Sequence, residues 1–315
     1  MRILFIKNYA YISIIGIYVI LILVSMISPY TLEIVYYTLL LMILAQSLNI
    51  IMGFAGLYNF GHAAFVGIGA YTFAILVVKG VDPYLSMIIG GLVASFTAFL
   101  LGLVVLRLKG PFFAISTLGI LEAIRYFIIG TPKITGGAAG FTLFKYLGTS
   151  YNPYILVYIL LILSVVTTIF LIILSHSSLG YSLKALREDH DAAEASGVNT
   201  TRCKIIAFIL SAFFPGVAGG VIAFKTFWVM PETIFDISYS IEAILTVLLG
   251  GSGTIIGPII GAMIYNISKS LFMSYFPGFQ LIVFGILTII IILIAPEGVI
   301  GLLNNRFKKV RRFLI

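Results

Sequence analysis

The chain has 315 residues, of which 61% are hydrophobic and only 10% are charged, and its mean hydropathy is +1.17. These values lie far outside those of a soluble globular domain, so water is excluded as the main solvent. The net charge of +8 would favour nucleic-acid binding in a soluble chain, but in a membrane chain basic residues mainly mark cytoplasmic loops. We therefore expect no nucleic-acid partner and predict an all-α, polytopic bundle of transmembrane helices.

Apolar segments follow one another along almost the whole chain. A crossing needs about 20 mainly apolar helical residues. Ten segments approach that length: 9–28, 34–53, 62–79, 84–106, 111–130, 153–175, 205–226, 237–250, 255–275 and 278–295. The eighth segment is short enough to be a half-crossing. The chain is thus predicted to be a single transmembrane domain over residues 1–315.

The basic residues predict that both ends of the chain lie on the cytoplasmic side. When the N-terminus is placed inside and the sides alternate, 13 of the 19 lysines and arginines fall in cytoplasmic segments. Arg125 lies within a span, and five residues fall outside: Lys79, Lys133, Lys145, Lys225 and Lys269. An even number of spans returns the basic segment 306–312 to the cytoplasm.

Two connections are longer than the few residues usual between helices, an external one near 131–152 and a cytoplasmic one at 176–204. The cytoplasmic segment separates six spans from four and is predicted to fold as a helical elbow. Ser182 can cap a first short helix over 183–188, and Asp189 or Asp191 can cap a second over 192–196. Gly197 can end the second helix, and Asn199 with Thr200 can cap the span that follows. Alanine and leucine on one side suit docking to a cytoplasmic partner, and a solvated connector is the alternative.

Glycine-rich stretches occur once in each block, from Gly53 to Gly69 and from Gly250 to Gly261. Paired interruptions of this kind point to broken helices around a pathway at the membrane midplane. Close helix packing through small residues explains any single glycine equally well. Both interpretations remain open at this stage.

Ionisable residues inside the spans are few and costly, so each needs a partner or water. Glu122 and Arg125 lie three residues apart on one helical face, where they can neutralise each other or line a substrate path. Glu242 has no partner nearby in the sequence. His62, at the start of the third span, is expected either to bond a helix-end carbonyl or to face a hydrated vestibule.

Signatures of catalysis are missing from the sequence. We find no G-x-x-x-x-G-K-[ST] phosphate loop and no G-x-S-x-G motif, and His62, His176, His190 and Cys203 are scattered. We therefore expect a transport subunit that does not hydrolyse ATP itself and holds no metal.

Three stretches resemble the permease subunits of branched-chain amino-acid ABC importers, of the LivH/LivM type and nearest to the LivM branch. They are Leu48–Gly56 continuing through Phe60–Phe65 to Gly67–Tyr71; Leu186–Asp189 with Ala192, Ala193 and Gly197; and Gly250–Thr254 with Gly257, Pro258, Gly261 and Ala262. Thr117–Ile120 and Glu122–Arg125 add weaker support. Tyr58 and Asn59 depart from the family pattern, in which a small polar residue precedes Phe60, so the local helix-break geometry stays open.

The resemblance implies the architecture and partners of an ABC importer permease in the cytoplasmic membrane. The implied partners are a second, LivH-like permease, two cytoplasmic ATPase subunits that carry ATP and Mg²⁺, and an external substrate-binding protein, with no cofactor on this chain. The implied coupling-loop residues are Arg187, Glu188, Asp189, Ala192, Ala193 and Gly197. The candidates for the translocation path are Asn49, Gly53, Gly56, Phe60, Gly61, His62, Glu122, Arg125, Glu242, Gly251, Gly253 and Thr254.

Two alternatives are kept beside import of branched-chain amino acids. Permeases for urea, short amides or other amino acids share the same motifs. An ion-coupled secondary transporter would need its own ion site, for which Glu122 and Glu242 are the candidates. An intramembrane enzyme is disfavoured because no nucleophile, base or metal constellation is present in the sequence.

Overall fold

The computed structural model describes residues 2–108, 110–148, 151–275 and 298–301. In chain order its elements are α1 (Arg2–Ser25), α2 (Pro29–Ile51), α3 (His62–Val78), α4 (Pro83–Val105), α5 (Pro111–Gly130), α6 (Pro132–Thr135), a 3₁₀ turn η1 (Gly137–Ala139), β1 (Phe141–Thr142), α7 (Phe144–Leu147), α8 (Pro153–Ser175), α9 (Ser178–Glu188), α10 (His190–Ala195), α11 (Thr200–Thr226), β2 (Trp228–Val229), α12 (Pro231–Ile234), α13 (Ser238–Gly250) and α14 (Gly257–Tyr275).

The predicted helix-bundle class is confirmed. Each of the first nine predicted spans coincides with one long helix, while the tenth, 278–295, and the basic segment 306–312 lie outside the described residues. Six helical stretches within the described part are long and apolar enough to cross a membrane: 29–51, 83–105, 111–130, 153–175, 200–226 and 231–250. The eighth span is short, since the 13 residues of α13 extend only about 20 Å at the helical rise of ~1.5 Å per residue.

Helix starts follow from local sequence. Proline lies in the first turn of α2, α4, α5, α6, α8 and α12, where its missing N–H costs nothing and its fixed φ suits the helix. The side chains of Ser28, Asp82 and Asn152 accept hydrogen bonds from free amides of α2, α4 and α8. These caps place the helix starts within a few residues of the predicted ones.

Helix α2 is the axis of the bundle. Every residue from 38 to 55 is buried, and α1, α8, α11, α13 and α14 all pack around it. A helix that is apolar on all sides is expected to be surrounded by other helices. This central position brings the end of α2 into contact with both blocks of the chain.

Glycines allow α11 to pack closely against α3 and α4. A Cβ added at Gly69 would overlap the backbone of Gly216, and one added at Gly219 would overlap the carbonyl of Val66. Small residues are the usual means by which transmembrane helices bring their backbones together, because lipid supplies no hydrophobic force between helices. The packing interpretation is therefore correct for these positions.

The two long connections lie at opposite ends of the bundle. The 131–148 connection contains α6, η1, β1 and α7, and β1 pairs antiparallel with β2, which follows α11. At the other end, α9 and α10 form the elbow between α8 and α11. The elbow and the small sheet thus lie at opposite ends of the bundle.

The elbow differs from its predicted form at its start. Ser177, not Ser182, caps α9, and the Ser182 hydroxyl instead donates to the carbonyl of Ser178. The helix starts earlier because Ser177 has the extended backbone that a cap requires. The other predicted features are confirmed: Asp189 caps α10, Gly197 has a φ of 84°, and Asn199 accepts from Arg202 N.

Glycine packing can be tested with one pair of substitutions. Because its new Cβ would overlap backbone rather than a movable side chain, we expect Gly69→Ala to destabilise the chain by about 1–3 kcal/mol. Thermal unfolding of the purified protein in detergent measures the change. Gly119→Ala on α5, where nothing lies within 4 Å, is the matched control and should unfold at or above the wild-type temperature. Equal midpoints for both variants would contradict close packing at Gly69.

Candidate coupling and translocation site

Asn49 joins the two glycine-rich connections. Its side chain is fully buried near the end of α2. The Nδ2 atom donates to the Thr254 carbonyl at 2.8 Å, and the Oδ1 atom accepts from the Gly253 amide at 2.9 Å. One amide side chain thus satisfies a donor and an acceptor of the 251–256 connection, which would otherwise be unpaired at a helix end.

Arg187 of the elbow reaches both connections. Its Nη1 atom donates to the Gly53 carbonyl at 2.6 Å, and it lies 3.5 Å from the Ser252 carbonyl. Gly56 packs against the same arginine, because a Cβ there would lie 3.3 Å from Arg187 Cγ. Hydrogen bonds from a charged donor are about twice as strong as neutral ones. We call Arg187, Asn49 and the two connections, 52–61 and 251–256, the junction.

Two glycines of the junction have no room for a side chain. A Cβ at Gly53 would overlap Asn49 Oδ1, and a Cβ at Gly253 would overlap Arg187 Nη1. Gly253 also has a φ of 80°, which other residues adopt only with strain. These glycines are required by the close approach of α2, the 251–256 connection and the elbow.

Further hydrogen bonds fix the segment that enters α3. The Phe60 amide donates to Thr117 Oγ1 on α5 at 3.1 Å, and the Ala63 amide donates to Ser240 Oγ on α13 at 2.8 Å. Gly61 packs against the Thr117 carbonyl. These contacts tie the start of α3 to both blocks of the chain.

Each glycine-rich segment contains a connection between two helices. Helices α2 and α13 end near the elbow, where Arg187 touches both connections. Helix α3 starts farther from the elbow, because its Ala63 amide bonds Ser240 near the start of α13. The two segments therefore meet in one contact region, and their place on a pathway at the membrane midplane stays a prediction.

His62 is buried at the start of α3. Its Nε2 atom lies 3.0 Å from Ser47 Oγ on α2, and only 1% of the residue is exposed. It therefore bonds a side chain on α2 and also interacts with the Leu44 backbone, as expected for a carbonyl partner, and it does not face a hydrated vestibule in this conformation. His62 holds α2 and α3 together beside the junction.

Glu122 and Arg125 form the ion pair expected from their spacing. Arg125 Nη1 lies 3.3 Å from Glu122 Oε1, and 26% of the arginine side chain and 40% of the glutamate side chain remain exposed. Helix α5 is otherwise sparsely covered, with exposed Phe112, Ile115 and Phe127. A partly exposed charge pair in the middle of such a helix is costly against lipid.

Glu242 has no partner nearby in the sequence, as expected, but it pairs with a distant lysine. Lys269 Nζ on α14 lies 2.5 Å from Glu242 Oε1 on α13, and about three-quarters of each side chain is buried. The two residues are 27 positions apart and lie on different helices, so the pair cannot be predicted from spacing along one helix. Lys269, which the distribution of basic residues places on the external side, lies within α14.

The outer face of the elbow offers few apolar groups. Leu183, Leu186 and Ala193 are buried within the chain, so in this conformation they contact the chain itself, and their use in docking stays a prediction. The amphipathic α9 buries its apolar side in its own protein first. The exposed positions include Ala185, Glu188, Asp189, Ala192 and Ala195.

Two charged groups of the elbow have shifted pKa values. Hydrogen bonds from the Ala192 and Asp191 amides lower the pKa of the Asp189 carboxyl, so this cap persists at neutral pH and is lost only in acid. Burial lowers the pKa of Lys184, whose Nζ lies 5.6 Å from the Phe54 ring. Lys184 is therefore a second contact between the elbow and the 52–61 connection.

Several partners in this site escaped the sequence reasoning. Thr117, Ser240, Lys184 and Lys269 supply contacts that no local pattern indicates. Thr117 lies in a recognised motif stretch, which is the only signal that could have found it. The described residues contain no group of three or more His, Cys, Asp or Glu side chains that could hold a metal ion.

The long apolar helices of the described residues define a multi-pass membrane protein. Residues 30–292 match the family described as the branched-chain amino acid transport system permease component. The chain belongs to this family. Its motifs at Asn49–Gly53 and Gly250–Thr254, identified above by resemblance, fall within the matched region.

Named relatives are similar over most of their lengths. The high-affinity branched-chain amino acid transport system permease protein LivM of Salmonella typhimurium, and that of Escherichia coli, are each 33% identical over 90% of this chain and 73% of their own. A probable branched-chain amino acid transport permease protein LivH of Methanocaldococcus jannaschii is 28% identical over 89% of this chain and 93% of its own. No solved structure matches the chain.

The role of Asn49 in the junction can be tested by Asn49→Leu. The substitution leaves the partly buried Gly253 amide and Thr254 carbonyl without their partner, and we expect a loss of about 1–3 kcal/mol in stability. Maleimide labelling of Ser252→Cys, in a Cys203→Ser background, should become faster as the connection loosens.

A cysteine placed at Ser196 on the exposed elbow is the control for this experiment. It should label at the same rate with Asn49 or Leu at position 49, because Ser196 does not contact the junction. Unchanged labelling at position 252 would mean that Asn49 does not hold the 251–256 connection.

Proposed function

We propose that this chain is the membrane-spanning permease subunit of an ATP-driven importer for branched-chain amino acids. ATP would be hydrolysed, with Mg²⁺, on two cytoplasmic ATPase subunits, and this chain would hold no cofactor. An external substrate-binding protein would deliver the amino acid. The names and descriptions of the relatives support the substrate class, and the absence of a phosphate loop in the sequence supports separate ATPases.

The observation that carries the proposal is the contact of Arg187 with Gly53 and Ser252. An ATPase can act on a permease only through an exposed element that is linked to the helices around the substrate path. The elbow is exposed on its outer face and touches the ends of α2 and α13 through one guanidinium. A displacement of α9 would therefore change the positions of both connections together.

The junction is suited to two discrete arrangements. Its hydrogen bonds join groups on α2, α9 and the 251–256 connection, so breaking the set frees three elements at once. Packed interfaces of this kind switch between states rather than deform continuously. ATP-driven movement of the elbow would select between the outward-facing and inward-facing states.

A second permease subunit, similar to LivH, is proposed to cover α5. Phe112, Ile115 and Phe127 are exposed there, and the Glu122–Arg125 pair is only partly buried. A charge pair at this depth requires protein or water around it. The exposed face of α5 would thus border the path between two permease subunits.

The proposed membrane is the cytoplasmic membrane, with both ends of the chain inside. The elbow then lies in the cytoplasm with Lys184, Arg187 and Arg202, in agreement with the bias of basic residues. The Glu33–Lys225 pair, at 2.6 Å, lies at the opposite, external ends of α2 and α11.

The second candidate substrate class is urea and short amides, since the delivered ligand is selected outside this chain. An ion-coupled transporter is less well supported because Glu242 is neutralised by Lys269 and Glu122 by Arg125. Neither carboxylate is therefore an unpaired proton or ion site.

The function can be tested in liposomes that contain this chain, its sister permease, the two ATPases and the binding protein. We expect ATP-dependent uptake of leucine, isoleucine or valine. We also expect Arg187→Met to hydrolyse ATP but to lower uptake about tenfold or more, because a charged hydrogen bond contributes about 1.5–3 kcal/mol. Uptake and ATP hydrolysis are measured in the same vesicles.

Arg202→Met is the matched control, since it removes an exposed arginine from the same face without touching the junction. It should retain uptake. If the wild-type assembly takes up no amino acid with ATP, the proposed function is wrong. Uptake of urea or an amide alone would move the assignment to the second substrate class.

Docking of the ATPase can be tested on the exposed elbow. We expect Ala192→Asp to weaken binding of the purified ATPase subunits, since it adds a charge at an exposed position of the proposed interface. Pull-down of the ATPase by the tagged permease measures binding. Ala138→Asp, at an exposed position of η1 at the opposite end of the bundle from the elbow, is the matched control and should bind normally. Unchanged binding by Ala192→Asp would make the elbow a connector.

A further inference from the structure

A small cavity lies between α2, α13 and α14, away from the junction. It has a volume of about 230 Å³ and is bordered by both members of the Glu242–Lys269 pair. A wider recess of about 520 Å³ shares Tyr37, Asn266 and Lys269 with it and extends to Tyr30 and Glu33 at the external end of α2. The cavity therefore adjoins a recess that reaches the external face.

One wall of the cavity is apolar. Tyr37, Leu40, Leu41 and Leu44 border it and recur at positions i, i+3, i+4 and i+7, which form one face of α2. Drug-sized pockets are commonly about 300–1,000 Å³, so a cavity slightly below that range suits a smaller molecule. The wall would contact an aliphatic side chain of a few carbons.

The other side of the cavity presents one cation and one anion to any ligand. The Lys269 ammonium and the Glu242 carboxylate lie 2.5 Å apart, and about a quarter of each side chain remains accessible. Asp236 borders the cavity at its exposed rim, where its carboxylate accepts from the Ser238 amide. The inner charges are thus one pair of opposite sign.

The arrangement matches a zwitterion. An ammonium group of a ligand can bond to Glu242 while its carboxylate bonds to Lys269, so the exchange leaves every buried charge paired. A ligand with only one charge would leave Glu242 or Lys269 without a partner, and an uncompensated buried charge is strongly unfavourable. A neutral amide gains less, because it cannot replace either ion.

We propose that this cavity is a transit site for an apolar, zwitterionic α-amino acid entering from the external face. Glu242 binds the α-ammonium, Lys269 binds the α-carboxylate, and the α2 wall of Leu40, Leu41 and Leu44 contacts the side chain. The assignment rests on the proposed function, since it names the place where the imported substrate class is first held within this subunit. A pair that only links α13 to α14 is the competing explanation.

The test measures binding to the full-length chain in lipid nanodiscs by equilibrium titration with radiolabelled L-leucine. Two competitors separate the charges: L-leucinamide carries only the ammonium, and 4-methylpentanoate carries only the carboxylate. We expect leucine to bind and neither competitor to displace it at a tenfold higher concentration. Glu242→Gln and Lys269→Met should each weaken leucine binding at least tenfold.

Matched controls remove the same charges elsewhere on the external side. Asp82→Asn at the cap of α4 and exposed Lys133→Met on α6 lie outside the cavity and should bind leucine as the wild type does. Leu41→Phe fills the cavity while leaving the ion pair intact, and it should also weaken binding. This variant keeps the test decisive if loss of either charge prevents folding.

Two results would overturn the assignment: no leucine binding by the wild-type chain, or unchanged binding by Leu41→Phe together with folded Glu242→Gln and Lys269→Met. The reconstituted importer separates this failure from failure of the proposed function. Normal leucine uptake by the wild type and by both charge variants rejects the site alone. Absence of all amino-acid uptake by the wild type rejects the function itself.

Discussion

Backbone N–H and C=O groups at a helix end within or near a bilayer must form hydrogen bonds inside the protein, because lipid offers no partner. In this chain the constraint is most demanding where α2 and α13 end side by side. The Asn49 side chain bonds one carbonyl and one amide of the 251–256 connection. Arg187 of the elbow donates to the Gly53 carbonyl. The glycines at 53 and 253 are needed because these partners come so close.

The hydrogen bonds that satisfy the helix ends are also those through which we propose that the permease is coupled to an ATPase. A self-contained helix end would be stable but insensitive to events in the cytoplasm. Here a side chain of the exposed elbow completes the connections of two helices from different blocks of the chain. Stability and response therefore depend on the same few contacts, and α2 can transmit a change because it is packed on all sides.

The ion pairs show how far local spacing can be used. Glu122 and Arg125 were predicted to pair because residues three apart share a helical face, and they do. Glu242 has no partner nearby in the sequence, because its partner, Lys269, lies on another helix, α14. Likewise, leucines predicted to face a partner are buried in the bundle, since sequence shows amphipathicity but not which surface covers the apolar side.

The sequence by itself determined that the chain lies in a membrane, that it is helical, and where nine of its spans lie. It also identified the capping residues Asp189 and Asn199 and the motifs that place the chain in its family. Hydropathy, helix length and capping are local properties, so they can be read from neighbouring residues. Only the tertiary structure decided that Arg187 meets both glycine connections and that Glu242 and Lys269 border one cavity. Those contacts depend on which helix faces meet, and that is set by packing between residues far apart in the chain.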